Sequence, residues 1–185
     1  MAYRWTSAAD GGVDVNADLG LLVLRVVVGG VVAMHGLMKL GWVGKGGSVA
    51  GTGGWFHSIG LRPGLFWALV ATLAEAGGGI LMALGLGVPI GPGLIAADLL
   101  VVAIVAHLPK GFWVQNGGWE FPLPLSAGGL AVALVGNGVW SLDALLGLTY
   151  PEWLPSAWLA LMAIGAVLAL VARAIYAPKP VPQKA

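Results

Sequence analysis

Charge is what this chain has least of. Of its 185 residues only 9% are Asp, Glu, Lys or Arg, against roughly 25% in an ordinary soluble domain. With 58% hydrophobic residues and a mean hydropathy of +0.90, so few charges could not clothe a water-facing surface. The composition therefore predicts an integral membrane protein. Cysteine is absent altogether, which excludes disulfides, thiol catalysis, Cys-ligated zinc and Cys-ligated iron–sulfur clusters within the chain. The net charge of +1 gives no electrostatic footprint for nucleic acid, so no nucleic-acid partner is expected. His35, His57 and His107 are the only histidines and form no close ligand pair, so no metal site is expected. The glycine-rich run Gly51-Thr-Gly-Gly54 lacks the strand–loop–helix setting of a phosphate loop and reads as a flexible loop. The first residues, with Asp10, Asp14 and Asp18, do not follow the basic-then-apolar order of a cleavable signal.

What the chain has is long apolar runs. Five stand out, at about 19–42, 64–86, 91–108, 123–139 and 155–177. Each approaches the 17–25 residues that a membrane helix needs. The runs are continuous rather than alternating, which selects helices over a barrel. The 31 glycines suit helices that approach closely in lipid. Breakers mark the joints: Gly85-Leu-Gly-Val-Pro89-Ile-Gly-Pro92, Gly117-Gly118, and Tyr150-Pro-Glu-Trp-Leu-Pro155. Pro92 falls early in the third helix, where a missing amide costs little. The chain so divides into a polar N-terminal tail (1–18), a four-helix bundle (19–147), an extra transmembrane helix (148–177) and a solvated, disordered basic tail (178–185).

Lys39, Lys45, Arg62, Lys110, Arg173, Lys179 and Lys184 collect on one side of these spans, with Arg4 alone beyond the other. That bias predicts a plasma (inner) membrane protein with its N-terminus outside and its C-terminus in the cytoplasm. Tryptophans fall near the span ends, as interfacial anchors do.

The polar residues at membrane depth are the informative ones. An arginine in hydrocarbon costs about 2.5–3.5 kcal/mol even on a lenient scale, so Arg25 needs a partner. Counting depth along each span places Glu75 and Asp98 near it. Arg25 is therefore expected to pair with Glu75, Asp98 or both, gripping a carboxylate with its fork of donors. Arg25, Gly29, Val32, Gly36 and Lys39 share one stripe, and Ala68, Ala71, Thr72, Glu75, Gly78, Gly79 and Met82 share another. The cluster reads either as a lock that fixes helix register or as a site for a polar headgroup. A second group, His35, Lys39, His107, Lys110 and Glu120, lies toward the basic side. There a proton-handling role for the histidines competes with lysines that merely snorkel and a histidine that merely bonds a carbonyl. Asp98 and His107 are nine residues apart and face opposite sides of their helix, so both cannot line one narrow cavity.

Arg25 followed by Met34-His-Gly-Leu-Met-Lys-Leu40 and Gly60-Leu-Arg-Pro resembles the DoxX family of small membrane proteins. So do Glu75-Ala-Gly-Gly-Gly-Ile-Leu-Met-Ala-Leu-Gly85, Ala106-His-Leu-Pro-Lys-Gly-Phe112 with Gly117-Gly-Trp-Glu120, and Gly136-Asn-Gly-Val-Trp-Ser-Leu-Asp143. The resemblance implies an all-α, polytopic membrane helical bundle, a four-helix core here followed by a fifth C-terminal transmembrane helix. Motif positions carried over are Arg25, His35, Gly36, Lys39, Glu75, His107, Gly111, Phe112, Gly118, Glu120 and Asp143. Some relatives are subunits of thiosulfate:quinone oxidoreductase. An accessory or anchoring subunit of a quinone-linked oxidoreductase is thus implied, with quinone as ligand, no covalent cofactor, and lipids and other subunits as partners. Such a subunit would need a lipid-reaching cavity lined by Arg25, Glu75, His35 or His107. A non-catalytic structural subunit or a lipid or small-molecule transporter is the alternative. Two features depart from the family pattern: Asn137 stands where its motif reads proline, and Asp98 is no motif position.

Overall fold

The computed structural model describes residues 2–3 and 15–177. Most of the predicted N-terminal tail, and the whole of the predicted disordered tail 178–185, lie outside the described residues. The described chain is an all-α polytopic bundle. Helix α1 (Val15–Lys39) leads to a short α2 (Val49–Ser58) and then α3 (Gly64–Leu84). Helix α4 (Ile90–Val102) continues through a π segment (Ala103–His107) and a 3₁₀ turn (Leu108–Lys110). Helices α5 (Pro122–Val135), α6 (Leu142–Leu145) and α7 (Leu154–Tyr176) complete it. A two-residue strand, β1 (Ala2–Tyr3), pairs antiparallel with β2 (Tyr150–Pro151).

Four helical stretches are long and apolar enough to cross a membrane: Asn16–Lys39, Gly64–Leu84, Ile90–Lys110 and Leu154–Tyr176. The fourth run of the sequence falls short. Helix α5 has 14 residues, about 21 Å at 1.5 Å per residue, against a hydrocarbon core of about 30 Å. It stops because Gly136 and Gly138 both take positive φ, 103° and 70°, a backbone that side chains resist. The predicted flexible loop at Gly51–Gly54 is helix instead. Ser48 caps α2 by accepting from the Gly51 amide at 2.9 Å, and Gly53 lies so close to α3 that a Cβ there would stand 3.0 Å from the Leu65 Cα. Packing against α3 outweighs the poor helix propensity of three glycines.

The α1–α3 contact is the most extensive in the bundle and is made of glycine. A Cβ on Gly36 would meet the Ala76 amide nitrogen at 2.2 Å, and one on Gly79 the Ala33 nitrogen at 2.5 Å. Only bare backbone permits that approach, which is how lipid-immersed helices gain dispersion contact. Val28, Val32, Met82, Ile95, Leu99 and Val132 form the adjoining core from α1, α3, α4 and α5. Helix α7 docks on α4, with the Trp158 indole donating to the Ile90 carbonyl at 3.2 Å. Of its 23 residues only Ala169 is buried. The ends of α1 and α7 that carry Lys39 and Arg173, and the start of α3 beside Arg62, lie together: Gly60 packs on the backbone of Tyr176 and Ala177. This is the basic end of the bundle.

Candidate functional site

The antiparallel register of α1 and α3 decides which charges meet. Gly29 lies against Gly79 and Ala83, and Gly36 against Ala76. One turn further along α1, Lys39 reaches Glu75, and the two form a salt bridge. Their side chains are 15% and 6% exposed, so the ion pair is enclosed by the bundle. Asp98, on α4, lies within electrostatic range of both, and its Oδ2 is buried without a hydrogen-bond partner.

The expected pairing of Arg25 with Glu75 or Asp98 is not what forms. Running backwards along the same register, Arg25 falls opposite the end of α3. Its guanidinium lies against Gly85, where a Cβ would stand 2.0 Å from Nη1. The side chain is completely buried, and Nη2 donates to the Trp140 carbonyl. The acid it faces is Asp143, not one of the spanning helices' carboxylates.

Asp143 is the hub of the end opposite the basic one. It accepts from the Gly87 amide at 2.9 Å, the Val88 amide at 3.2 Å, Asn137 Nδ2 at 2.7 Å and the Tyr150 hydroxyl at 2.7 Å. Asn137, the departure from the family motif, therefore supplies one of these bonds. Asp18, assigned from the sequence to the polar tail, is a buried part of α1 and accepts from the Val139 amide at 3.0 Å. Burial first, then the hydrogen bond to Asp143 and its negative charge, push the Tyr150 hydroxyl up to about 12. The connections α3–α4 and α5–α6 and the segment before α7 are thereby tied to one carboxylate. Tyr150 and Asp18 were missed because neither lies in an apolar run near another charge. The available signal was Asp143 itself, seven residues before Tyr150 and six after Asn137 in a glycine-rich segment.

At the basic end the remaining candidates separate. His107 Nδ1 bonds the Gly117 carbonyl at 2.7 Å, so this ring pins a loop. Glu120 accepts from the Val114 amide at 2.7 Å and closes the same loop, whose Phe112 and Trp119 rings meet edge to face at 4.8 Å. His35 is exposed on the flank of α1 and packs its ring near Phe121, with centroids 5.9 Å apart. His57 is exposed near the end of α2. No group of three or more His, Asp or Glu suited to a metal occurs among the described residues.

A cavity of about 150 Å³ lies between α2, α3, α4 and α7. Its walls are apolar, from Phe56, Trp67, Val101, Val105 and Met162 among others, and Asp98 is its single charged lining residue. Arg25, Glu75, His35 and His107, expected around a lipid-reaching cavity, are not in its wall. Arg25 and Glu75 are drawn to the α1–α3 seam and its end, while His107 turns to its loop.

A glycine-seamed bundle with a buried ion pair at one end and a loop clamp at the other defines a small polytopic helical membrane protein. The chain belongs to the DoxX family, whose profile matches residues 20–108. It is 33% identical over 126 residues to "Putative oxidoreductase CatD" of Bacillus subtilis (strain 168), a match covering 68% of this chain and 86% of that protein. No solved structure matches it significantly.

Proposed function

We propose that this protein is an accessory or anchoring subunit of a quinone-linked oxidoreductase of the plasma membrane, held with its basic end in the cytoplasm. The observation that carries the reading is His35. Ionisable side chains within spanning helices ordinarily turn inward, and Arg25 and Glu75 do. His35 instead stays exposed on α1, beside Phe121 and one turn before Lys39. An imidazole there can donate to a quinone carbonyl from the lipid side, with the Phe121 ring against the head. Histidine is also the side chain best placed to exchange protons near neutral pH.

Support comes too from the oxidoreductase name of the Bacillus relative. With no cysteine in the chain, electrons would arrive from a partner subunit, and the uncovered surface of α7 offers such a subunit a contact. The test is extraction of the protein in native lipid, followed by analysis of what comes with it. Co-purified quinone, lost in His35→Ala while thermal unfolding is unchanged, supports the reading. Quinone that is absent, or indifferent to His35→Ala, refutes it. One stoichiometric protein partner without quinone would leave a purely structural subunit, and flux into proteoliposomes with neither would mark a transporter.

A further inference from the structure

Lys39 and Glu75 neutralise each other, and Asp98 is left over. The acid left without a partner is the one that lines the cavity. That carboxylate's Oδ2 is buried and makes no hydrogen bond, a condition that costs free energy in a low-dielectric interior. The space beside it is of the size at which an apolar cavity accepts a benzene ring. Trp67 and Phe56 line it from α3 and α2, Val101 from α4, Val105 from the π segment that continues it, and Met162 and Ala166 from α7. A neutral apolar guest would fill the volume and leave the carboxylate unpaired. A guest with a cationic head would do both.

We infer that this cavity is a binding site for a lipophilic ammonium, a ring-sized apolar body whose protonated amine pairs with Asp98 while its hydrocarbon fills the space between α3, α4 and α7. The site is separate from the His35 surface and does not depend on the redox reading. Asp98 discriminates by charge, and the walls discriminate by size. The Lys39–Glu75 pair behind Asp98 keeps the lysine occupied, so that it does not serve as the counterion itself. Helix α7 forms one wall and is little buried elsewhere, which gives a guest from the lipid phase a route in along its flank.

The test uses the full chain in zwitterionic nanodiscs, with fluorine-labelled benzylamine as probe and the matching benzyl alcohol as its neutral counterpart. Fluorine NMR reads saturable binding above that of empty nanodiscs. The amine is expected to bind more tightly than the alcohol. Asp98→Asn should weaken the amine about 30-fold or more, the smaller of the losses seen when one member of a buried charge pair is removed, and leave the alcohol unchanged. Ala166→Leu, which fills the cavity from α7 and touches no charge, should abolish binding of both probes. It keeps the question answerable if Asp98→Asn does not fold. Equal affinity for amine and alcohol, amine binding indifferent to Asp98→Asn, binding that survives Ala166→Leu, or no saturable binding of the amine would each overturn the inference.

Discussion

Replacing Lys39 and replacing Glu75 remove the same salt bridge, yet they should not have the same effect. The pair is enclosed, with side chains 15% and 6% exposed. Removing one partner of such a pair strands the other charge and destabilises by about 3–5 kcal/mol. Which end of that range applies depends on Asp98, which lies within range of both groups. In Lys39→Met, Glu75 and Asp98 are left as two carboxyl groups with no cation between them, so a loss near the upper figure is expected. In Glu75→Leu, Lys39 still has Asp98 to turn to, and the loss should sit at or below the lower figure. The double variant removes both members of the pair and leaves Asp98 as it already is. Since apolar replacement of a whole buried pair is often neutral or stabilising, it should recover most of the Lys39→Met loss. Reversible unfolding in mixed micelles, or steric trapping in bicelles, gives the four free energies and the coupling between the sites. A double variant no more stable than Lys39→Met, or a greater loss for Glu75→Leu than for Lys39→Met, would refute the account of this pair as a register lock flanked by Asp98.

Two further outcomes follow from the packing and the loop clamp. Gly36→Ala should destabilise by about 1–3 kcal/mol through overpacking, because its methyl would meet the Ala76 backbone nitrogen at 2.2 Å. Gly77→Ala, whose methyl meets nothing within 4 Å, should be neutral or stabilising by up to about 1 kcal/mol, and the same unfolding assay compares them. Tyr150 should ionise late in an absorbance titration, near the value of about 12 that burial and Asp143 impose, and earlier in Asp143→Asn. Because the unfolded chain loses that proton near pH 10 while the folded chain keeps it, stability should be flat below pH 10 and fall between about 10 and 12. A Tyr150→Phe variant should lack that part of the decline.

The spans, the glycine faces and the membrane class were legible because they are written in local composition. The partner of Arg25 was not, for a geometric reason. Counting each charge from the end of its own span treats the spans as flush. Helices α1 and α3 are not flush: Arg25, well inside α1, lies beside Gly85 at the very end of α3, so α1 runs on past it. Only the register set by Gly29, Gly36 and Gly79 fixes that offset, and apolar length carries no trace of it. Lys39 was hidden by a different effect. A lysine at a helix end ordinarily reaches for the interface, but α3 extends beyond the end of α1 in the other direction and brings Glu75 within reach of it.

This offset also sorts structure from chemistry. At the Asp143 end, the carboxylate receives bonds from two backbone amides, one amide side chain and one phenol, all from its own chain. An acid so fully engaged has little left with which to meet a ligand, and its bonds join segments that would otherwise be independent loops. At the basic end the chain pairs Lys39 with Glu75 and leaves Asp98 facing a cavity it does not fill. A group whose hydrogen-bonding capacity is exhausted internally fixes the fold, and one left with capacity beside an apolar space is where something from outside can bind. The functional residues of this bundle should therefore be sought at Asp98 and His35, on either side of the Lys39–Glu75 pair, and the loop clamp at Asp143.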